Sequence, residues 1–104
     1  MVKKKQITDK DVIKKLEQVM DPELGISIVD LGLIYGVELE KNKVKITMTF
    51  TTPACPLAMY IANQVEEKTM ELGFSRENVL VHVTFTPSWA PEKMSKKAKI
   101  MLEV

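Results

Sequence analysis

The sequence has very few residues of the kinds that build disulfides or metal sites with several thiolates. Its 104 residues include one cysteine, Cys55, and one histidine, His82. A single cysteine can form neither a disulfide within the chain nor a zinc site made of several of its own thiolates. The sequence therefore excludes a secreted disulfide scaffold, and we expect a cytoplasmic protein of a reducing compartment.

An excess of one charge and a long apolar run are also lacking. The chain has 15 Lys and Arg against 14 Asp and Glu, a formal net charge of +1. Binding to a phosphate backbone normally requires a basic surplus on one face, so we expect no nucleic-acid partner. No apolar stretch approaches the roughly 20 residues of a membrane span, so we expect no membrane association.

The length and the even composition indicate one domain. A chain of 104 residues is of ordinary single-domain size and can bury an adequate core without cross-links. No repeat, low-complexity tract or linker interrupts it. We therefore predict a single domain over residues 1–104, with residues 1–6 as a flexible tail.

Hydrophobic periodicity predicts the first half of the fold. Thr8, followed by Asp11 three positions later, is typical of a helix N-terminus. The helical apolar spacing continues to Met20, and Pro22 predicts that the helix stops at Asp21. Residues 33–40 and 44–50 then alternate apolar and polar side chains around a short turn, which predicts an antiparallel hairpin with one buried face.

The second half of the fold is predicted in the same way. A second helix is expected from about Pro56 to Gly73, a third strand over residues 78–85, and a short C-terminal helix capped by Ser95, with Ile100 to Leu102 inside. The connection through the second helix is long enough for a parallel crossover. The fold class is therefore α/β: one two-layer domain in which helices pack on the apolar face of a small mixed sheet.

Three connecting segments contain unusual residues. In the first, residues 21–32, the carboxylates of Asp21, Glu23 and Asp30 could meet hard metal ions or cationic partners. Each residue also has a structural interpretation, because an aspartate can end a helix and a glycine can form a turn. The alternatives remain open for this segment.

The second segment, residues 51–57, contains the cysteine. Cys55 lies between two prolines at or just before the predicted helix start, where unpaired backbone N–H groups favour a thiolate. A thiolate binds soft metals and attacks electrophiles, whereas a buried free cysteine is inert. Thr51 and Thr52 could hydrogen-bond the same anion or cap the helix.

The third segment, residues 85–95, contains the one tryptophan, Trp89, between two prolines. It is interpreted either as a lid on the core or as an exposed anchor for another protein. His82 lies on the polar face of the third predicted strand, where a lone histidine is commonly a plain surface residue.

Together, residues 21–35, 51–57 and 86–95 resemble, in the same order, three motifs of the SufT/PaaD-like metal–sulfur cluster assembly family. The resemblance covers nearly the whole chain. It implies a compact α/β domain that acts in iron–sulfur protein maturation. We therefore expect an accessory factor of cluster assembly or delivery and not an enzyme. The chain lacks the cysteine-containing C-terminal tail of the PaaD branch, which points to the minimal, SufT-like form.

The resemblance also assigns residues and partners. It places the family's functional cysteine at Cys55, its acidic signature at Asp21 and Glu23, and its aromatic loop at Trp89. It implies a transient iron or iron–sulfur cluster, with assembly proteins and client apoproteins as partners. Since one thiolate cannot complete a four-ligand cluster, the other ligands would come from a second copy in a homodimer, a small thiol or the recipient.

Two other functions stay open on the sequence alone. One is a protein-binding adaptor with no metal of its own, in which the Trp89 loop and the Asp21–Glu23 loop recognise partners. The other is a thiol enzyme with Cys55 as nucleophile, for which the spacing supplies no base other than a distant His82.

Overall fold

Helices on one side of a mixed sheet form the described part of the chain. The computed structural model describes residues 7–51 and 57–102. The helices and strands, in chain order, are α1 (Asp9–Leu16), β1 (Met20–Asp21), β2 (Ile26–Ser27), β3 (Ile34–Glu40), β4 (Lys43–Met48), α2 (Ala58–Met70), β5 (Val79–Val83) and α3 (Lys96–Leu102). The expected α/β class is confirmed. None of the helices in these two ranges has the length and apolar character needed to cross a bilayer.

The first helix begins as predicted and ends early. The Thr8 hydroxyl accepts a hydrogen bond from the Asp11 backbone N–H, and the Asp11 carboxylate accepts one from the Thr8 N–H, which together form a capping box. The prediction that the helix continues to Asp21 was wrong. Met20 and Asp21 instead pair with β2 in a two-stranded antiparallel sheet, so their backbone groups are in a strand ladder.

The three-stranded sheet has the predicted topology. Its strand order is β3-β4-β5. β3 and β4 are antiparallel, with Val37 opposite Ile46, and they are joined at Lys41, whose φ is +53°. β4 and β5 are parallel, with Ile46 opposite Val81, so the crossover through α2 is confirmed.

One face of this sheet contains the core and the other is open. On β4 the side chains of Val44, Ile46 and Met48 are buried, whereas Lys43 and Lys45 point to the opposite, exposed face. The helices α1 and α2 contact the sheet at β3 and β5. They therefore cover the apolar face, as the two-layer architecture requires.

The second helix buries a stripe that includes one polar residue. Ile61 and Val65 are fully buried, as predicted, and Thr69 is buried with them. The Thr69 hydroxyl donates to the Val65 carbonyl at 2.7 Å, which satisfies it without a partner outside the helix. The expected start at Pro56 lies outside the described residues, and Gly73, with φ +116°, follows the helix as expected.

The C-terminal helix is capped as predicted but turns a different face to the core. Ser95 Oγ accepts a hydrogen bond from the Ala98 N–H at 3.1 Å. The prediction that Ile100 and Met101 lie inside was wrong, since their side chains are 68% and 53% exposed while Ala98 is fully buried. Ile100, two positions after Ala98, lies on nearly the opposite side of the helix from Ala98.

The third strand of this sheet is shorter than predicted. It ends at Val83, and the face expected to be apolar is buried at Val79 but 37% exposed at both Val83 and Phe85. The chain therefore leaves the core before residue 85, because the segment that follows crosses to the loop between β2 and β3.

Candidate functional site

Three parts of the chain meet where β4 ends. The Thr49 N–H donates to the Leu33 carbonyl at 2.8 Å, just before β3, and the Thr84 N–H donates to the Met48 carbonyl at 2.9 Å, just after β5. We call this border, defined by Leu33, Thr49 and Thr84, the carboxyl edge of the sheet. Because α2 follows β4 and connects it to the parallel strand β5, the N-terminus of α2 lies at this same end of the sheet.

The cysteine segment joins β4 to α2 at this edge. Its first described neighbour, Thr51, is exposed, and its last, Leu57, is the N-cap of α2. Thr52 and Cys55 lie outside the described residues, so their assigned roles remain predictions. In sequence, Cys55 comes two positions before the N-cap of α2.

The first and third predicted segments lie directly against each other. The Trp89 indole N–H donates to the Leu31 carbonyl at 2.6 Å, and the Tyr35 hydroxyl donates to the Pro87 carbonyl at 2.8 Å. The Lys93 ammonium lies 5.0 Å from the centre of the Tyr35 ring, within the range of a cation–π contact. Residues 28–35 and 85–95 thus form one unit, which we call the loop junction.

The Trp89 side chain packs within the loop junction and contacts the protein's own core. Its side chain is half-buried, it packs against the core, and its one polar atom is paired with the chain's own carbonyl. These contacts agree with the lid interpretation of the tryptophan. An indole that anchors a separate protein would expose more of its surface and keep its N–H for the partner.

Gly32 allows the backbone of Lys93 to lie close to the loop between β2 and β3. Its φ is +77°, and a Cβ built on it would lie 2.2 Å from the Lys93 carbonyl oxygen. The chain beyond Lys93 is fixed as well, because the Ser95 N–H donates to the Asp30 carbonyl at 2.7 Å. Only glycine fits both the backbone conformation and the available space.

Asp21 stabilises the turn in its own loop. It is 8% exposed, and its Oδ1 accepts hydrogen bonds from the N–H groups of Glu23 at 2.8 Å and Leu24 at 3.1 Å. Its backbone carbonyl also accepts from the Gly25 N–H at 2.7 Å. An aspartate that bonds backbone amides two and three positions ahead stabilises a turn, which is one of the two interpretations given to it above.

The other two carboxylates of the first segment do not gather around Asp21. Glu23 is exposed, and Asp30 is half-buried at the loop junction. Within residues 7–51 and 57–102, no group of three or more His, Cys, Asp or Glu side chains is arranged to hold a metal ion. Cys55, the one cysteine of the chain, lies outside those ranges.

Sequence reasoning missed Tyr35, Lys93 and the role of Gly32. Tyr35 belongs to the predicted strand alternation, yet a register shift between Ile34 and Gly36 turns it out of the ladder and toward Pro87. The signal that could have found Gly32 is the presence of two glycines, Gly25 and Gly32, within residues 21–32. Their different surroundings depend on a contact some 60 positions along the chain, and no local pattern reports such a contact.

The fold is shared with a solved structure of close sequence. It superposes on a domain of unknown function, DUF59, from Bacillus anthracis with a TM-score of 0.86 and 37% identity, over 92% of each chain. The class of protein is therefore a small α/β domain of this kind.

The comparisons then give the family. The chain belongs to the iron–sulfur cluster assembly protein family, whose model matches residues 9–83. It is 41% identical over 95 residues to the Fe-S protein maturation auxiliary factor YitW of Bacillus subtilis, covering 90% of this chain and 92% of that one. It is 39% identical over 87 residues to the auxiliary factor SufT of Staphylococcus aureus, covering 83% and 98%. The resemblance stated from the three motifs is confirmed.

Proposed function

We propose that this protein is an accessory factor that assists the assembly of iron–sulfur clusters or their delivery to client proteins. The observation that carries the proposal is the family membership over residues 9–83, together with relatives of nearly the same length that are named Fe-S protein maturation auxiliary factors. The chain acts, in this proposal, by binding and transfer and not as an enzyme.

Cys55 is the proposed point of contact with the cluster. It is the one thiol of the chain, and its segment leaves the sheet at the carboxyl edge. A thiolate is the ligand that iron–sulfur clusters take from proteins. Because one thiolate leaves the cluster short of ligands, the cluster is held transiently and the remaining ligands come from a second copy, a small thiol or the recipient protein.

The loop junction lies at the carboxyl edge of the sheet, where the described part of β4 ends. The contacts of Trp89 and Tyr35 fix residues 86–95 against residues 28–35, and both segments reach the carboxyl edge. We propose that Trp89 acts by holding this surface in shape. Thr51, Thr52 and Asp30 are the polar residues proposed to tune the site, and Asp21 contributes by shaping the loop that presents Glu23 to a partner.

The proposed partners are the assembly proteins and the client apoproteins. The proposed compartment is the cytoplasm, where a reducing environment keeps a lone thiol available. The adaptor alternative differs on one point: it predicts that loss of the thiol has no effect on maturation.

A cysteine-to-serine exchange tests the proposal. We expect Cys55→Ser, purified and reconstituted anaerobically with iron and sulfide, to lose the visible absorption that the wild type gains. In cells, maturation of client enzymes should fall to the level of a strain without the protein. Unfolding curves should match the wild type, because oxygen for sulfur is a small change of side chain.

His82→Gln is the matched control. His82, the one histidine of the chain, is exposed on the open face of the sheet, and an imidazole can bind iron. This variant should keep the wild-type spectrum and maturation. Full client maturation by Cys55→Ser would refute the metal role and favour the adaptor.

A further inference from the structure

Strand β5 is an edge strand of the three-stranded sheet, and one row of its backbone N–H and C=O groups faces away from β4. In the described part of the chain it pairs with β4 alone. The Thr84 N–H bonds inward to the Met48 carbonyl, and backbone groups alternate sides along a parallel strand. Leu80 and His82 therefore also bond inward, and the N–H and C=O groups of Val81 and Val83 point outward.

The opposite edge, β3, has features that block pairing. Glu38 and Glu40 are exposed on it, and a register shift interrupts the ladder between Ile34 and Gly36. Charges and bulges are common means by which proteins protect edge strands.

β5 has none of these protections. Residues 79–83 contain no charged residue and no proline, and the pairing with β4 runs without a register shift. Two of its apolar side chains are open to solvent, Leu80 at 57% and Val83 at 37%. An unprotected, apolar edge of this kind favours addition of another strand.

We propose that β5 pairs with β5 of a second copy of this chain, antiparallel, about a two-fold axis at Val81. In this register Val81 faces Val81 of the other copy, and Val79 faces Val83. The Val79 N–H is already bonded to the Arg76 carbonyl, so it takes no part. The remaining outward groups form four hydrogen bonds: two between the Val81 residues, and one from each Val83 N–H to the opposite Val79 carbonyl.

The side chains fit the same register. The three valines stand on the helix-covered face and meet valines, and on the open face Leu80 of each copy meets His82 of the other. The net charge of +1 per chain gives little repulsion between copies. Because the same patch is used by both chains, the assembly closes at two.

The contact is small, so the dimer is weak. One pair of five-residue strands lies at the low end of interface size, for which a Kd of roughly 10 µM to 1 mM is expected. Dimers should therefore appear as the protein is concentrated, independently of whether Cys55 binds a cluster.

Sedimentation velocity over this concentration range is the test, with two variants that block the edge. Leu80→Lys adds a charge at an exposed position of the strand. Val83→Pro removes an outward N–H and leaves the inward bonds of Leu80 and His82 intact. The control Ile100→Lys makes the same type of change at another exposed apolar side chain, 68% exposed on α3.

We expect the wild type and Ile100→Lys to shift from the mass of one chain toward twice that mass, while Leu80→Lys and Val83→Pro stay at one. Amide exchange gives a second measurement that does not depend on the variants folding well. The Val81 and Val83 amides should become protected as wild-type concentration rises, whereas those of Leu80 and His82 are already hydrogen-bonded to β4 in the single chain.

Three results would overturn the proposal. The first is a wild type that remains a single chain at about 1 mM, which is the upper Kd expected for so small an interface. The second is dimerisation of the edge variants to the same extent as the wild type, and the third is protection of Val81 and Val83 that appears only when a different protein is added. None of these readouts depends on client maturation, so failure here leaves the proposed function standing, and failure of that function leaves the dimer standing.

Discussion

Replacing Gly32 by alanine tests how tightly the loop junction is built. The new Cβ would lie 2.2 Å from the Lys93 carbonyl oxygen and 2.7 Å from the carbonyl carbon, both of them backbone atoms. Backbone cannot rotate away as a flexible side chain can, so the segment around Lys93 has to move by about 1 Å to restore a normal contact. Two hydrogen bonds depend on that segment: Trp89 to Leu31 and Ser95 to Asp30.

The cost follows from three contributions. An alanine held at φ +77° loses about 1–2 kcal/mol relative to glycine because of its left-handed backbone. Each of the two hydrogen bonds contributes about 1 kcal/mol. Gly32→Ala should therefore lower the free energy of unfolding by roughly 3–4 kcal/mol, a large part of the stability of an ordinary domain.

Gly25→Ala is the matched control. Gly25 has a similar φ of +67°, but nothing lies within 4 Å of the position that a Cβ would take there. It should cost only the backbone contribution of about 1–2 kcal/mol. The difference between the two variants isolates the contact with Lys93.

Urea denaturation measured by circular dichroism and by fluorescence is the assay. The chain has one tryptophan, and it is Trp89, so its emission reports the loop junction itself. We expect Gly32→Ala to shift that emission toward the solvent-exposed value in the folded state. Equal destabilisation by Gly32→Ala and Gly25→Ala, with unchanged emission, would refute the close approach.

Three more predictions concern side chains. Trp89→Phe leaves the Leu31 carbonyl without its donor and should cost about 1–3 kcal/mol in chemical denaturation; an unchanged midpoint would show that the indole N–H does not matter. Asp21→Ala removes the acceptor of two amides and should cost about 1–2 kcal/mol, whereas Asp21→Asn, which keeps an oxygen, should recover most of that loss; equal loss in both would indicate that the charge is what counts. The hydrogen bond and charge of Lys15, with Lys68 adding to them, lower the pKa of Glu71, so the ionised form favours folding. That stabilisation is present above the ordinary carboxylate pKa and is lost as the pH falls through the lowered pKa of Glu71. In the Glu71→Gln variant, the free energy of unfolding should therefore change less with pH in this acid range, and it should depend less on salt.

The sequence predicted those elements that are governed by local signals. Thr8 and Asp11 specify a helix start on their own, and Ser95 does the same for α3, because a capping hydrogen bond spans three residues. The β3–β4 hairpin and the parallel β5 follow from alternation and from the length of the crossover.

The parts missed from the sequence depend on distant contacts. Met20 continued a helical apolar spacing, but pairing with Ser27 removed it from the helix. Ile100 and Met101 are apolar and exposed, because the small Ala98 is the residue that lets α3 approach the core. The loop junction joins residues more than 50 positions apart, as in the bond from Tyr35 to Pro87.

The candidate site was predicted by its segments and not by its geometry. The motifs around Asp21 and Trp89 were both singled out, and the contact between Leu31 and Trp89 shows the first and third segments together. Their roles were harder to foresee. Asp21 fits equally well as a ligand or as a turn residue until its amide donors are seen.

The parallel pairing of β4 with β5 also has a consequence for the order in which the protein assembles. The hairpin partners Val44 and Leu39 are five positions apart, whereas Val44 and Val79 are 35 apart and cannot meet until α2 has been made and folded back. Local contacts form first and long loops close later. The last strand to join should also be the first to detach, so transient openings of the native protein would begin at β5 and at the chain that follows it.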